Sequence, residues 1–401
     1  MEKGKRILIV SEVFWPEDFL INDLAQEWQD RGHHVEVLTQ YPSYPQSYVF
    51  ENYRNEGYMT EDWNGIKIHR FPFIEGYRDS KIKKFSNYLS FIFGGRKLAK
   101  KIGGDFDVIF VSQTGPLTVA KPAIAAGKKH NIPVAIWTQD IWPDVVWAYG
   151  VPKNCITSWI LKKVIAGIYR NCDRIFISSK LFKDAVAKYT DKSPIYAPNW
   201  LRPAVDEESD LRLDKDKINF TFTGNISRYQ NLENTILGFN KAKMDNAVLN
   251  IVGDGSYADY LKQLVEEKGI SNVIFHGRKP YSHMNDILEQ SDVLVLPLIN
   301  SEGVKRTEPF KIQSYLHAGK PIIGILGGGG KEVIEENKLG LVADPDDVDD
   351  IARVFQNMVE YAREHANEVS ERAKKLMQTR FNKDEIIKTL TENLPAEKRF
   401  G

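Results

Sequence analysis

Short apolar runs rich in β-branched residues alternate with helix-length amphipathic segments along almost the whole chain. In the first half the runs fall at residues 7–10, 35–38, 108–111, 134–137 and 175–177. Between the first two, Leu20, Ile21, Leu24, Ala25 and Trp28 recur at helical spacing, closed by Gly32. Further helical patterns cover 117–129 and 156–169. The second half repeats the scheme, with runs at 220–223, 248–252, 273–275, 293–296, 322–325 and 341–342. Helical patterns lie near 231–243, 256–268, 282–289, 310–318 and 331–337, and continue from about 347 onward. Alternation of this kind predicts parallel sheets covered on both faces, an α/β fold. Twice over, it predicts two doubly wound, Rossmann-like domains joined near 198–216, a charged segment with Pro198 and Pro203. Such sheets bind ligands beyond the carboxyl ends of their strands, and two facing each other would form a cleft.

Composition narrows the function. The 401 residues suffice for two ordinary domains, and 42% hydrophobic content suits soluble cores. No apolar run approaches the ~20 residues of a spanning helix. The run at 7–10 is too short for a secretory leader and reads as a strand. Cys155 and Cys172 form no metal or redox spacing, which points to a reducing, cytoplasmic compartment. Zero net charge argues against nucleic-acid binding. The charge is unevenly spread: residues 1–200 carry 27 Lys and Arg against 21 Asp and Glu, and residues 201–401 carry 27 against 33. A basic first half favours an anionic partner such as a membrane surface.

Four strand ends in the second half carry glycine: Gly224-Asn225, Gly253-Asp254-Gly255, Gly277-Arg278 and Gly327-Gly328-Gly329-Gly330. Each alone is an ordinary turn. Together they read as a rim of backbone donors suited to an anionic nucleotide. Arg228 adds a permanent cation. No Gly-x-Gly-x-x-Gly or Walker sequence is present. Glu308-Pro309-Phe310-Lys311 follows the run at 293–296. Pro309 fits the first position of a helix that Gly319 can close. Its positive end, with Lys305, Arg306 and Lys311, fits a diphosphate cradle with Glu308 placed to hold hydroxyls. The same residues also fit a plain capped helix with solvated charges.

In the first half, Thr138-Gln139-Asp140-Ile141-Trp142-Pro143-Asp144 follows a strand and fits either an acceptor-orienting rim or a proline-containing loop with an Asx turn. Residues 11–19 and 112–117 leave neighbouring strand ends. Asp105 and Asp107 lie at the opposite end of the sheet, as a solvated turn, and His33-His34 sits at a surface turn. Residues 78–101 hold eight Lys or Arg and one acid, Asp79. Ile82, Phe85, Leu89 and Ile92 fall on one helical face, which fits an interfacial helix on an anionic membrane or packing on the core. We expect the stripe to pack on the core and the charge around it to favour the membrane surface.

The pattern resembles the family-four retaining glycosyltransferases of the GT-B fold over nearly the whole chain. The likeness rests on Phe14-Trp15-Pro16-Glu17, on Arg31-Gly32-His33-His34-Val35-Glu36-Val37-Leu38-Thr39, and on residues 138–144. It continues through Ala197-Pro198-Asn199-Trp200, Gly224-Asn225-Ile226, Ile251-Val252-Gly253-Asp254-Gly255, Phe275-His276-Gly277 and residues 310–321. More narrowly, the chain is similar to transferases of bacterial capsule and O-antigen assembly, including fucosamine-transferase-like proteins.

The resemblance implies an acceptor domain at 1–200 and a nucleotide-sugar domain at 201–375, with helices in 376–401 crossing back onto the first. It implies metal-independent transfer with retention from a nucleotide-sugar, UDP-linked, to a glycan or lipid-linked acceptor. No cofactor is implied. On this reading Arg228, Lys311, Glu308 and Asp140 carry catalysis. Gly224, Asn225, Gly253, Asp254, Gly277, Arg278, Lys305, Arg306, Phe310 and Ser314 bind the donor. Trp15, Glu17, Thr114, Gln139 and Trp142 bind the acceptor. The chain also departs from the family pattern. The Arg and Lys after the strand-end glycine fall on Asn225 and Gln230, and two glutamates eight apart fall on Arg306 and Ser314. The first-domain histidine falls on Gln139, and a glycine pair is replaced near Asp18-Phe19-Leu20. Glu302 or Glu308 would replace the first glutamate. An epimerase on the same fold and a non-catalytic nucleotide-sugar binder are the alternatives. Residence is expected in the cytoplasm, on the inner membrane face.

Overall fold

The computed structural model describes residues 4–143, 146–147, 152–202 and 206–396. Asp144, part of the expected acceptor loop, lies outside them, as do parts of the expected domain junction and of the closing segment. The chain divides into two compact units: one runs to Ala197 and resumes at Asp384, and the other is Pro198–Lys383.

The first unit is built on an eight-stranded sheet, ordered β3-β4-β2-β1-β5-β6-β7-β8. Its strands are β1 (Arg6–Ser11), β2 (His34–Gln40), β3 (Met59–Trp63), β4 (Ile66–Phe71), β5 (Val108–Gln113), β6 (Val134–Thr138), β7 (Arg174–Ile177) and β8 (Ile195–Tyr196). All pair in parallel except β3 with β4. The helices are α1 (Leu20–Asp30), α2 (Lys81–Ile102), α3 (Ala120–His130), α4 (Cys155–Tyr169) and α5 (Phe182–Ala187). β5 and β6 are buried along their whole length, because helices cover both faces.

The β3–β4 hairpin escaped the reading of apolar runs because its strands, MTEDW and IKIHRF, are largely polar. The joining Asn64-Gly65, with φ of 52° and 80°, is the dipeptide that favours a tight hairpin turn.

One expectation is overturned in α2. The stripe of Ile82, Phe85 and Leu89 is exposed, with Phe93 beside it, and Ile92 is half-buried. The face that packs inward is Asn87, Phe91, Gly95, Leu98 and Ala99. Its glycines explain the choice: a β-carbon at Gly95 would come within 2.8 Å of Pro122, and one at Gly94 within 3.0 Å of Phe71. The small face approaches its neighbours most closely and buries there.

The second unit holds a six-stranded parallel sheet, ordered β11-β10-β9-β12-β13-β14. The strands are β9 (Ile218–Thr223), β10 (Ala247–Val252), β11 (Val273–Gly277), β12 (Val293–Pro297), β13 (Ile322–Ile325) and β14 (Gly340–Ala343). The helices are α6 (Leu232–Lys241), α7 (Ala258–Glu267), α8 (Met284–Glu289), α9 (Glu302–Lys305), α10 (Lys311–Ala318), α11 (Gly328–Glu336) and α12 (Val348–Gln378). Residues 206–216 are no free linker. Ser209 N–H donates to the Asp286 carboxylate at 3.0 Å, and Leu213 N–H to the Gln290 amide at 3.1 Å. The last helix, α13 (Lys383–Glu392), joins the first unit almost from its start. There the Trp28 indole donates to Thr391 Oγ1 at 2.8 Å, and Arg31 pairs with Asp384 at 2.6 Å.

Candidate functional site

In the second unit the strand order reverses between β9 and β12, and a doubly wound sheet opens a crevice at the carboxyl ends beside such a reversal. A cavity of about 520 Å³ lies there, within the range of small-ligand pockets. The strand ends Thr223-Gly224-Asn225 and Val252-Gly253-Asp254 line it, together with Arg278, Lys279 and Tyr281. Phe310, Lys311 and Ser314 of the α10 turn face it, and Trp200 and Arg202 enter from the start of the unit.

Helix α10 is fixed by its other face. Ile312, Tyr315 and Leu316 are buried in a hydrophobic cluster with Leu294 and Leu296 of β12. The Tyr315 hydroxyl donates to the Val295 carbonyl at 3.1 Å and accepts from Thr223 N–H at 3.2 Å, tying the helix to both switch-point strands. Gly319 closes the helix in the left-handed conformation, with φ of 64°. Helical hydrogen bonding starts at Lys311 rather than Pro309, whose carbonyl accepts from Ile312 N–H at 3.0 Å.

Lys311 is thereby laid across the end of β9. Its Nζ sits 3.9 Å from the centre of the Phe222 ring and donates to the Gln230 amide oxygen at 2.5 Å. Burial holds this ammonium well below the ordinary lysine range. Two glycines make the approach possible. A β-carbon at Gly224 would lie 2.6 Å from Lys311 Cε, and one at Gly253 would lie 1.8 Å from the Gly224 carbonyl oxygen.

The expected rim of free backbone donors is not what these glycines provide. Gly224 N–H donates to Val252 O and Gly253 N–H to Gly277 O, both at 2.8 Å, so adjoining strand ends consume them. Basic side chains line the cavity instead: Lys311, Arg278, Lys279 and Arg202. Lys279 is paired with Asp210 at 2.8 Å, and Arg202 lies over the Tyr281 ring at 4.5 Å.

Several predicted residues stand elsewhere, away from the lining described. The 3-10 turn Arg228–Gln230 carries Arg228 outward, where its guanidinium lies 5.2 Å from the centre of the Tyr257 ring. Glu308 is buried and paired with Arg380 at 2.9 Å, so its carboxylate neutralises a guanidinium. Lys305 and Arg306 pair with Glu302 at 3.9 and 3.5 Å. The tetraglycine packs on that segment: a β-carbon at Gly328 would lie 1.8 Å from the Lys305 carbonyl. Gly277 contributes its carbonyl to Gly253.

In the first unit the reversal falls between β1 and β5. Glu12 leaves β1 there, and a β-carbon at Gly115, just beyond β5, would lie 2.8 Å from its Oε2. Thr114 sits on the same turn. The Gln113 amide donates to the Gly115 and Asp140 carbonyls at 2.7 and 3.1 Å, joining the ends of β5 and β6. Among the described residues, neither amide atom of the buried Gln139 has a hydrogen-bond partner. Burial pushes the carboxyls of Glu12 and Asp140 each up to about 7.

Three expected acceptor residues serve this rim structurally. Glu17 accepts from the amides of Phe14, Ser43 and Tyr44 at 3.2, 2.8 and 2.7 Å, pinning two loops. Trp15 stacks on Trp63, centroids 6.3 Å apart. Trp142 belongs to the hydrophobic core. Glu12, Arg202 and Tyr281 went unrecognised from the sequence. Glu12 lies beside the first strand end, where switch-point topology alone would single it out. Nothing in local spacing brings Arg202 to Tyr281. Among the described residues no group of three or more His, Cys, Asp or Glu is placed to hold a metal ion.

Comparison with known proteins follows the two units. The family described as "Glycosyl transferases group 1" matches residues 206–376, and that described as "Glycosyltransferase Family 4" matches residues 20–197. "Probable glycosyltransferase WbjE" of Pseudomonas aeruginosa is 26% identical over 237 residues, covering 55% of this chain and 58% of that protein. "Putative colanic acid biosynthesis glycosyl transferase WcaI" of Escherichia coli (strain K12) is 25% identical over 285 residues, 66% of this chain and 69% of its own. The crystal structure of Anabaena Alr3699/HepE in complex with UDP shares the fold with a TM-score of 0.70. It is 14% identical over 96% of this chain and 98% of that one.

Proposed function

Because the chain belongs to the family-four glycosyltransferases, on the GT-B fold, we propose that it transfers a sugar with retention from a nucleotide-sugar, UDP-linked, to a glycan or lipid-linked acceptor in bacterial surface polysaccharide synthesis. The second unit holds the donor and the first unit the acceptor. The observation that carries this reading is Lys311, a fully buried lysine amine laid over Gly224 at the switch point of a nucleotide-sized cavity.

In this proposal the diphosphate lies between Lys311 and the strand ends of Gly224, Asn225, Gly253 and Asp254, with Arg278 beside it. Ser314, three residues on along the same helix face, meets the ribose, and Phe310 flanks the sugar. As the glycosidic bond breaks, negative charge builds on the departing diphosphate. Preorganised cations stabilise that charge without a metal ion, and a buried one acts at low effective dielectric. On the acceptor side Asp140, Gln139 and Thr114 orient the incoming hydroxyl, joined by Glu12. UDP in the HepE complex supports the choice of nucleotide, and the relatives in polysaccharide synthesis support the acceptor class.

The test is incubation with a panel of nucleotide-sugars, with and without glycan acceptors. Acceptor-dependent nucleotide release is expected, highest with a UDP-sugar. Acceptor-free isomerisation, or saturable binding without turnover, would contradict transfer.

A further inference from the structure

Helices α2, α3 and α4 cover one face of the first sheet and share one hydrophobic cluster, with α3 packing against both of the others. Each leads into or out of a parallel strand so that its N-terminal half lies toward the carboxyl end of the sheet. That is the edge carrying Glu12, Thr114 and Asp140.

Two of these helices have a second apolar face that is exposed among the described residues. On α2 it is Ile82, Phe85, Leu89 and Phe93, with Ile82 80%, Phe85 64% and Phe93 65% exposed. At 100° per residue these side chains stand opposite the buried Asn87, Phe91 and Leu98. On α4 it is Ile156, Trp159 and Ile160, with Ile156 72% and Trp159 58% exposed, opposite the buried Ile165, Ile168 and Tyr169. The α4 stripe and three of the four α2 side chains, Ile82, Phe85 and Leu89, lie in the N-terminal halves of their helices, and Phe93 follows just past the middle of α2. Scattered single apolar residues on a surface need no explanation, but two aligned stripes do.

The charge around them selects the occupant. None of the three helices contains Asp or Glu, whereas Lys81, Lys83, Arg96, Lys97, Lys162 and Lys163 flank the stripes. Lys163 lies 4.1 Å from the centre of the Trp159 ring. A second copy joined through this face would set like charges against each other. Nucleic acid would leave the isoleucines unmatched. Apolar side chains rimmed by Lys, with Trp and Phe between, match the boundary of an anionic bilayer, where rings and aliphatic groups enter the headgroup layer and ammonium groups meet phosphates.

We propose that α2 and α4 together form a docking surface for an anionic lipid bilayer, which brings the acceptor edge of the first unit against the membrane. The link to a lipid-linked acceptor rests on the proposed transferase reading; the docking itself does not.

The experiment is co-sedimentation of the full chain with phosphatidylglycerol-rich vesicles and with pure phosphatidylcholine vesicles, without donor or acceptor. The wild type is expected to pellet with the anionic vesicles and to be released in part by salt. Ile82→Ser/Phe85→Ser/Phe93→Ser and Ile156→Ser/Trp159→Ser are each expected to weaken binding by about tenfold or more. Because these side chains are exposed, unchanged circular dichroism and melting serve as the folding control. Wild type remaining in solution with both vesicles, or pelleting no better than the variants, overturns the proposal. So does a dimer that these substitutions dissociate. Turnover with a water-soluble acceptor is read separately, so failure of docking leaves the transferase reading standing, and the converse.

Discussion

Lys311 reaches its place only because residue 224 has no side chain: a β-carbon there would stand 2.6 Å from Cε and 3.0 Å from Nζ. The relationship joins a helix after β12 to the end of β9, the two strands that flank the reversal in strand order. Gly224→Ala should therefore act as a displaced version of Lys311→Ala. Lys311→Ala is expected to lower transfer by on the order of 10²–10³, and Gly224→Ala by on the order of 10² through misplacement. Steady-state kinetics of nucleotide release checks both. Near-full turnover in Lys311→Ala would remove the residue from the mechanism.

The same burial that suits Lys311 to a diphosphate burdens the unliganded protein. Its folded pKa lies below the unfolded value, so the penalty for burying charge is complete below the folded pKa. That penalty is relieved as pH rises from there toward the unfolded pKa. Lys311→Met should thus melt higher than wild type at neutral pH while losing activity, and the melting difference should shrink as pH rises. Calorimetry of nucleotide binding in buffers of differing ionisation enthalpy should also show proton uptake.

Glu12 and Asp140 titrate in the opposite sense. Unfolded, they ionise near 4.5 and 3.8; folded, each is pushed up to about 7. The folded state holds the protons more tightly, so stability from these groups is full below pH 4 and falls as pH rises toward 7. Glu12→Gln and Asp140→Asn should each reduce the loss of stability between pH 5 and pH 8, measured by urea denaturation. If the ionised carboxylates orient the acceptor, the acid limb of the rate profile near pH 7 should flatten in the same variants.

Glu308, almost fully buried, pairs at 2.9 Å with Arg380, whose side chain is 15% exposed. Removing one partner of a buried pair commonly costs about 3–5 kcal/mol. Glu308→Ala and Arg380→Ala should each destabilise the fold on that scale. The double variant should be less destabilised than the sum of the two, by chemical denaturation.

Much of this architecture was legible because its signals are local. Apolar runs mark buried parallel strands, Gly319 marks a helix end, and Asp347 caps α12 by accepting from Asp349 and Asp350 N–H at 2.9 and 3.1 Å. The α/β class followed from such signals, and Lys311 lines a cavity at the strand-order reversal of the second unit. What sequence did not disclose depends on distant partners. Glu308 looked like a hydroxyl clamp until Arg380, 72 positions on, is seen to occupy it. The strand-end glycines looked like anion donors, yet the amides of Gly224 and Gly253 serve neighbouring strands. The stripe on α2 looked like core because it is apolar; Gly94 and Gly95 let the other face approach more closely and take that place.

The central claim is that the donor diphosphate lies between Lys311 and the end of β9. A crystal structure with UDP bound tests it most directly. The account predicts a diphosphate oxygen within hydrogen-bond distance of Lys311 Nζ, above Gly224. A diphosphate held instead at Arg228, or at Lys305 and Arg306, would contradict it.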